Sequence, residues 1–521
     1  MSLSDENMKH IVNSLSEEVL TDKLNFEFLK AAENEASRLE SGLADLKDYV
    51  ISGLKQSGHE QKLANFVLRR LPHIKQLHHH LTPEEHKKEP ITYIRKSQLA
   101  WEKRIWKSLN SMCTELSLPL ARKRPDKDFK DMNRKWSELG SDEPNLSQIR
   151  PVYAPKDFLE VVSGVKNPNC NDFPLYNNWG LIQATLKVKS LHELRLQYSH
   201  MSINQAQSGV DDLTRTPTDI FQGERNKLAK KVIKSCMAGA VQEFLKKGSP
   251  TGCRNQIWNS ILGIEIGDEE KLYYDQLKNS VLVHDLLVDN LIYKDIKLTA
   301  TNDDQYFVFE DYLYQVLLPF FRDLVILETI KKSTATPAKS YIRGKLGNEE
   351  YAVFYPPNGV IPFHGFSMYV APLCYCYDDP IMLYYVFRAF YARFFHHLHC
   401  VSSHQQGILS LSLLFERLLQ QIEPQLFYHL CSIGVQPLKI SFKWIIRAFS
   451  GYLCSEQVLL LWDRILAYDS LEILAVLAVA IFSFRKTNLL QIQSFQAAEA
   501  VMNDLTGLKV IPLLQLTLFS E

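Results

Sequence analysis

Two histidine clusters are the first places where residue type and spacing point to chemistry. His78, His79, His80 and His86 surround Pro83 in a charged run, and His396, His397, His399, Cys400 and His404 follow an aromatic segment. Imidazole and thiolate ligate zinc, and Cys400 and His404 stand one helical turn apart. Neither cluster, however, has the second close pair that a closed zinc site needs, so no metal is expected. Cys374 and Cys376, one residue apart in an apolar stretch, read as core thiols. No GxxxxGK[ST] or GxGxxG loop offers backbone N–H groups to a nucleotide's phosphates, and no GxSxG or HExxH motif is present. The chain is expected to carry neither a cofactor nor a hydrolase centre of its own.

A different constellation begins at Gly248-Ser-Pro-Thr-Gly-Cys-Arg254-Asn-Gln-Ile-Trp258, where a Gly/Pro break opens a helix with Arg254 and Trp258 one turn apart on a shared face. Ile261-Leu-Gly263 and the pair Tyr273-Tyr274 follow. Further on stand Ile292-x-x-Asp295-x-x-Leu298-Thr299, His364-Gly365 with Val370-Ala371-Pro372-Leu373, Pro424 to Leu430, Gly434 and Pro437, Lys443-Trp444 with Phe449-Ser450, and Leu461-Trp462-Asp463. In type and order these residues resemble the TBC domain of Rab GTPase-activating proteins, over about 244–484. On the residues' own physics, Trp258, Trp444 and Trp462 are packing groups whose indole N–H needs a partner, and Asp295 and Asp463 are helix-end or ion-pair residues.

The resemblance implies a two-lobed helical fold and a mechanism in trans. The Rab partner carries GTP and magnesium, while the TBC protein supplies an arginine for the charge on the transferring phosphoryl group and a glutamine that orients the attacking water. Here Leu298 occupies the arginine slot, His364 the glutamine slot, and Pro362 replaces the tyrosine of the family's YxQG element. Leucine neither donates a hydrogen bond nor carries charge, and an arginine finger is worth roughly 10³ to 10⁵ in rate, about 4 to 7 kcal/mol. Lys294 and Lys297 lack the planar fork of arginine and, on a helix, Lys297 points about 100° from the slot. Arg322, Arg343, Gln305 and Gln315 lie between the two slots without standing in a matching frame. The expectation is an atypical Rab GTPase activator with weakened catalysis, or an inactive Rab-binding adaptor. Arg254, Trp258, Asp295, Thr299, Gly365, Trp444, Trp462 and Asp463 would be its motif or groove positions.

The elements that must position these residues are helical. Leu39, Leu43, Leu46, Val50 and Leu54 recur at three- and four-residue steps, as do Trp101, Ile105 and Leu109, predicting a helical N-terminal region over 1–118 that packs internally or binds a helical partner. Pro125, Pro144, Pro151, Pro155 and Pro168 predict an irregular linker over 119–180. Residues 181–240 are read as a mixed connection: a strand in LIQATLKVKS, then a helix bearing Arg225, Lys227, Lys230, Lys231 and Lys234 as a solvated face. The TBC-like part is placed at 241–508, with a polar loop from Lys331 to Pro357.

Composition agrees with a folded, all-α chain. Of 521 residues 46% are hydrophobic and 23% charged, and 59 basic residues balance 59 acidic ones, so no net charge draws the chain to nucleic acid, and contact with a membrane surface would have to be local. The longest apolar stretch, Ile473 to Phe484, is shorter than the roughly 20 residues that cross a bilayer and reads as a buried helix. Nine cysteines and an N-terminus without a charged start and apolar run predict reduced thiols in the cytosol.

Overall fold

The computed structural model describes residues 12–36 (except 14, 18 and 21), 46–68, 90–141, 146–165, 180–205, 208–213, 218–331, 341–346, 349–354 and 356–520. Helices dominate, and the strands form two antiparallel ribbons: Ala121–Lys123 with His284–Leu286, and Tyr341–Leu346 with Glu349–Phe354. The all-α expectation holds.

Two groups of helices make the C-terminal part. In the first, Asp268–Val283 and Pro380–Arg393 flank Glu310–Phe320; in the second, Glu472–Phe484 lies between Ile408–Ile422 and Val510–Phe519. Ala238–Leu245 packs on Arg254–Leu262, which meets Pro380–Arg393 of the first group, and on Ser455–Tyr468, which meets Val510–Phe519 of the second. Glu472–Phe484 contains the long apolar stretch and is buried from Glu472 to Phe482, because neighbours cover it on every side rather than along one stripe. Among the described residues no helix is long and apolar enough to cross a membrane.

The segments ahead of this unit belong to the same core. From Pro90–Leu116, Trp101, Ile105, Leu109 and Met112 are buried in the cluster that also holds Trp258 and Trp462, and Gln98 Nε2 donates to Val401 O at 2.6 Å. Further upstream, Lys23–Ala36 packs on Leu46–Gln56. The expected linker differs most from what is observed. It contains the helices Asp126–Arg134 and Pro155–Ser163, and Trp136, Leu139, Phe158 and Val162 are buried. Its prolines start helices instead of excluding them: Pro125 caps the first, and Pro155 takes the first turn of the second, where no backbone N–H is required.

Two smaller expectations are also corrected. Residues 181–190 form no strand beyond an isolated bridge at Gln183, because the N–H groups of Leu181 and Ile182 donate to the Glu416 carboxylate at 2.8 and 3.0 Å rather than to a neighbouring strand. The stretch read as a polar loop from Lys331 to Pro357 contains the second β-ribbon, with Tyr341 opposite Phe354. The basic helix is present as Thr218–Lys234. Its four lysines are exposed while Arg225 turns inward, its guanidinium 3.7 Å from the Phe244 ring centre.

Candidate functional site

The helix Leu287–Asp295 starts beside the first ribbon and runs directly into a π-helical turn, Ile296–Ala300, in which Thr301 N donates to Ile296 O at 2.9 Å. Such wide turns redirect side chains and recur at functional sites. Leu298 sits in this turn with 40% of its surface exposed. Just before it, the buried Asp295 carboxylate accepts from Gly365 N at 2.6 Å and Ser367 N at 2.7 Å, and the Thr299 and Ser367 hydroxyls meet at 2.6 Å. One carboxylate and one hydroxyl thus clamp the turn of Leu298 to the loop of His364, although 66 residues separate the two in the chain.

Gly365 has φ 103°, and a Cβ there would lie 2.1 Å from Arg447 Nε. Only glycine meets both conditions, a left-handed backbone and a guanidinium laid against its Cα. Arg447 Nη2 donates to His364 O at 2.8 Å. The His364 ring is partly exposed, its Nδ1 4.0 Å from Asp295 Oδ1. Burial pushes its pKa down, opposed by Asp295 and assisted by Arg447, which favours the neutral ring, able both to donate and to accept. Burial raises the Asp295 carboxyl, against the N–H groups of Gly365 and Ser367.

The two lysines nearest Leu298 in the sequence are both engaged. Lys297 Nζ pairs with Glu310 Oε1 at 2.6 Å, and Lys294 Nζ donates to Leu146 O at 3.1 Å. Of the other residues between the slots, Arg322 is buried in an ion pair with Asp289, Gln315 is buried, and Gln305 Oε1 accepts from Ser455 N at 2.6 Å. Arg343 lies in the second ribbon.

Arg254, Trp258, Trp444, Trp462 and Asp463 are buried. Asp463 accepts from Trp258 Nε1 at 2.8 Å, from Arg254 Nη2 at 3.1 Å and from Ser249 N at 3.0 Å, all buried. Trp462 Nε1 donates to Ala448 O at 3.0 Å, and the Trp444 ring lies 6.1 Å from those of Phe449 and Phe482. These groups lock the start of the unit onto Ser455–Tyr468.

With that geometry in place, the chain can be set beside known proteins. The Rab-GTPase-TBC domain family matches residues 363–490. TBC1 domain family member 19 of Homo sapiens is 55% identical over 513 residues, which are 98% of this chain and 97% of that one. The chain belongs to the TBC-domain family. A crystal structure of the Chlamydomonas flagellar RabGAP TBC domain is also similar, at 16% identity and a TM-score of 0.37, covering 54% of this chain and 84% of that one. In this TBC protein the family match opens one residue before His364, so the His364 loop lies inside it and Leu298 ahead of it.

Of the two histidine clusters, the second lies in the interior of this TBC protein. His78, His79, His80 and His86 lie outside the described residues. Buried His396, His397 and His404 stack, with ring centres 3.7 and 3.9 Å apart, and His399 Nε2 is 2.8 Å from the Tyr391 hydroxyl. Among the described residues no group of three or more His, Cys, Asp or Glu is arranged to hold a metal, and the described cysteines are unbridged. One site residue escaped the sequence reading. Arg447 stands between the Lys443-Trp444 and Phe449-Ser450 elements, and nothing in their spacing says that it reaches His364.

Proposed function

We propose that this TBC protein binds a Rab-family GTPase through the surface that carries Leu298 and His364, and that it stimulates GTP hydrolysis more weakly than a member with the arginine and glutamine fingers. The observation that carries this reading is the Asp295 clamp: it brings the two slots to one exposed rim and leaves an apolar side chain in the first of them. His364, partly exposed and favoured in its neutral form, retains the means to hold a water. GTP and magnesium come with the Rab, and this chain contributes side chains in trans. The family's use of the fold supports a cytoplasmic regulator of membrane traffic, recruited to the membrane that bears its GTPase.

Single-turnover GTP hydrolysis against a panel of Rabs, scored together with binding to their GTP-analogue forms, tests the proposal. Binding to at least one Rab with a modest rate increase is expected; no binding to any of them would sink it. The exposed Leu298 favours a second reading, an adaptor that binds without accelerating hydrolysis. The double variant Leu298→Arg with His364→Gln separates the two, since an adaptor that still docks its Rab gains activity from nothing, and an activator rises from a measurable baseline.

A further inference from the structure

The turn after the helix Pro437–Ile446 is built in an unusual conformation around a cation that the function proposed above leaves unused. Ala448 (φ 46°) and Phe449 (φ 64°) both take left-handed backbone, a state that residues with side chains rarely adopt. Hydrogen bonds over-determine it. Phe449 N donates to Trp444 O at 2.8 Å, Trp462 Nε1 to Ala448 O at 3.0 Å, and the Tyr369 hydroxyl to Ile446 O. The reversal buries Phe449 and sends Arg447 over the Cα of Gly365.

There the guanidinium is poorly consumed. Nη2 serves His364 O, the Tyr452 ring centre is 5.6 Å away, and Nε is buried against Gly365 without a hydrogen-bond partner, which leaves Nη1 as the uncommitted donor among the described residues. Asp295, the carboxylate whose field reaches it, is already taken by Gly365 and Ser367. A half-buried charged fork with one uncommitted donor, beside His364, is suited to an anion arriving from outside.

We propose that Arg447 is the catalytic cation of this TBC protein, reaching the γ-phosphate of a docked GTPase from the end of Pro437–Ile446 in place of a guanidinium at position 298. The assignment rests on the Rab reading above. In the reaction the water oxygen bonds to the γ-phosphorus while the bond from phosphorus to the β–γ bridging oxygen breaks. The electron pair of that bond leaves with GDP, and both of the water's protons end on the released phosphate, as H2PO4−. Arg447 stays protonated throughout and supplies charge and N–H donors to the phosphoryl oxygens, which is all that this position demands.

The full-length chain and the variants Arg447→Ala, Arg447→Gln and Arg447→Lys would be compared for binding to each Rab as GDP, GDP with aluminium fluoride and GTP-analogue forms, with single-turnover hydrolysis alongside. Arg447→Gln removes the charge but keeps a shorter polar side chain, and denaturation midpoints measured for every variant separate a loss of charge from a loss of fold. Both uncharged variants should lose about 10²-fold or more of the affinity gained with aluminium fluoride and of the hydrolysis rate. GTP-analogue binding should stay within about threefold, because the contact belongs to the transition state. Lysine should recover part of the loss. The proposal falls if Arg447→Gln keeps the full gain, if binding to every nucleotide form drops equally, or if the unmodified chain shows no gain on a Rab that it does bind. Absence of binding to any Rab would remove the Rab reading and this assignment with it.

Discussion

At Asp463 three donors converge on one carboxylate that water does not reach, and the Arg254 guanidinium has no other carboxylate in contact among the described residues. Asp463→Ala strands a buried charge, an indole N–H and a backbone N–H together. A loss of about 3–5 kcal/mol is expected, read as a lower denaturation midpoint in guanidinium; a change under about 1 kcal/mol would mean that water replaces the carboxylate. Gly365→Ala makes a second case. The new methyl group needs the space that Arg447 holds, on backbone that disfavours any side chain, so about 1–3 kcal/mol should be lost. His399, held neutral by burial with its pKa lowered to about 3, binds a proton more readily when unfolded. Its contribution to stability is present above about pH 6.5 and drains away as pH falls from there toward 3. Acid titration of unfolding in His399→Gln should show a shallower decline on that limb than the unmodified chain.

The strap at 180–182 is held to Ile408–Ile422 by Glu416 alone among the described side chains that accept its N–H groups. Burial raises the Glu416 carboxyl to about 7 from an ordinary 4.5, against the two N–H bonds, with Cys431 the titratable neighbour in its field. Between those values the folded state carries a proton that the unfolded state has shed. The sign is therefore opposite to that of His399: Glu416 favours the fold on the acid side and loses that contribution as pH rises through 7. Denaturant midpoints at pH 5.5 and 8 should differ less in Glu416→Gln than in the unmodified chain. An unchanged difference would mean that Glu416 is ionised throughout. The element scale also explains a misreading. Alternating apolar residues in LIQATLKVKS have the look of a strand, but a strand needs a ladder partner, and here a side chain takes the donors.

Across the whole molecule, Pro90–Leu116 and the C-terminal helices share one apolar interior. Removing residues 1–117 would expose the surface now covered by Trp101, Ile105, Leu109 and Met112, so the remainder should be poorly soluble or melt well below the intact chain. An equally stable, monomeric fragment would show that the helix is only an accessory. The helical class, the TBC family and the presence of leucine at 298 and histidine at 364 were all legible in the sequence, because periodicity and residue identity are local properties of a chain. The interior roles expected of Trp258 and Asp463 were legible too, since a large indole or a lone carboxylate within an apolar pattern must find a partner. What needed the fold was company at a distance. Only tertiary structure turns Pro125 and Pro155 into helix starts within a shared core, gives the donors of Leu181 and Ile182 to Glu416, and lays Arg447 on Gly365. Each depends on which surfaces meet once several hundred residues compete to leave water, and no spacing along the chain encodes that meeting.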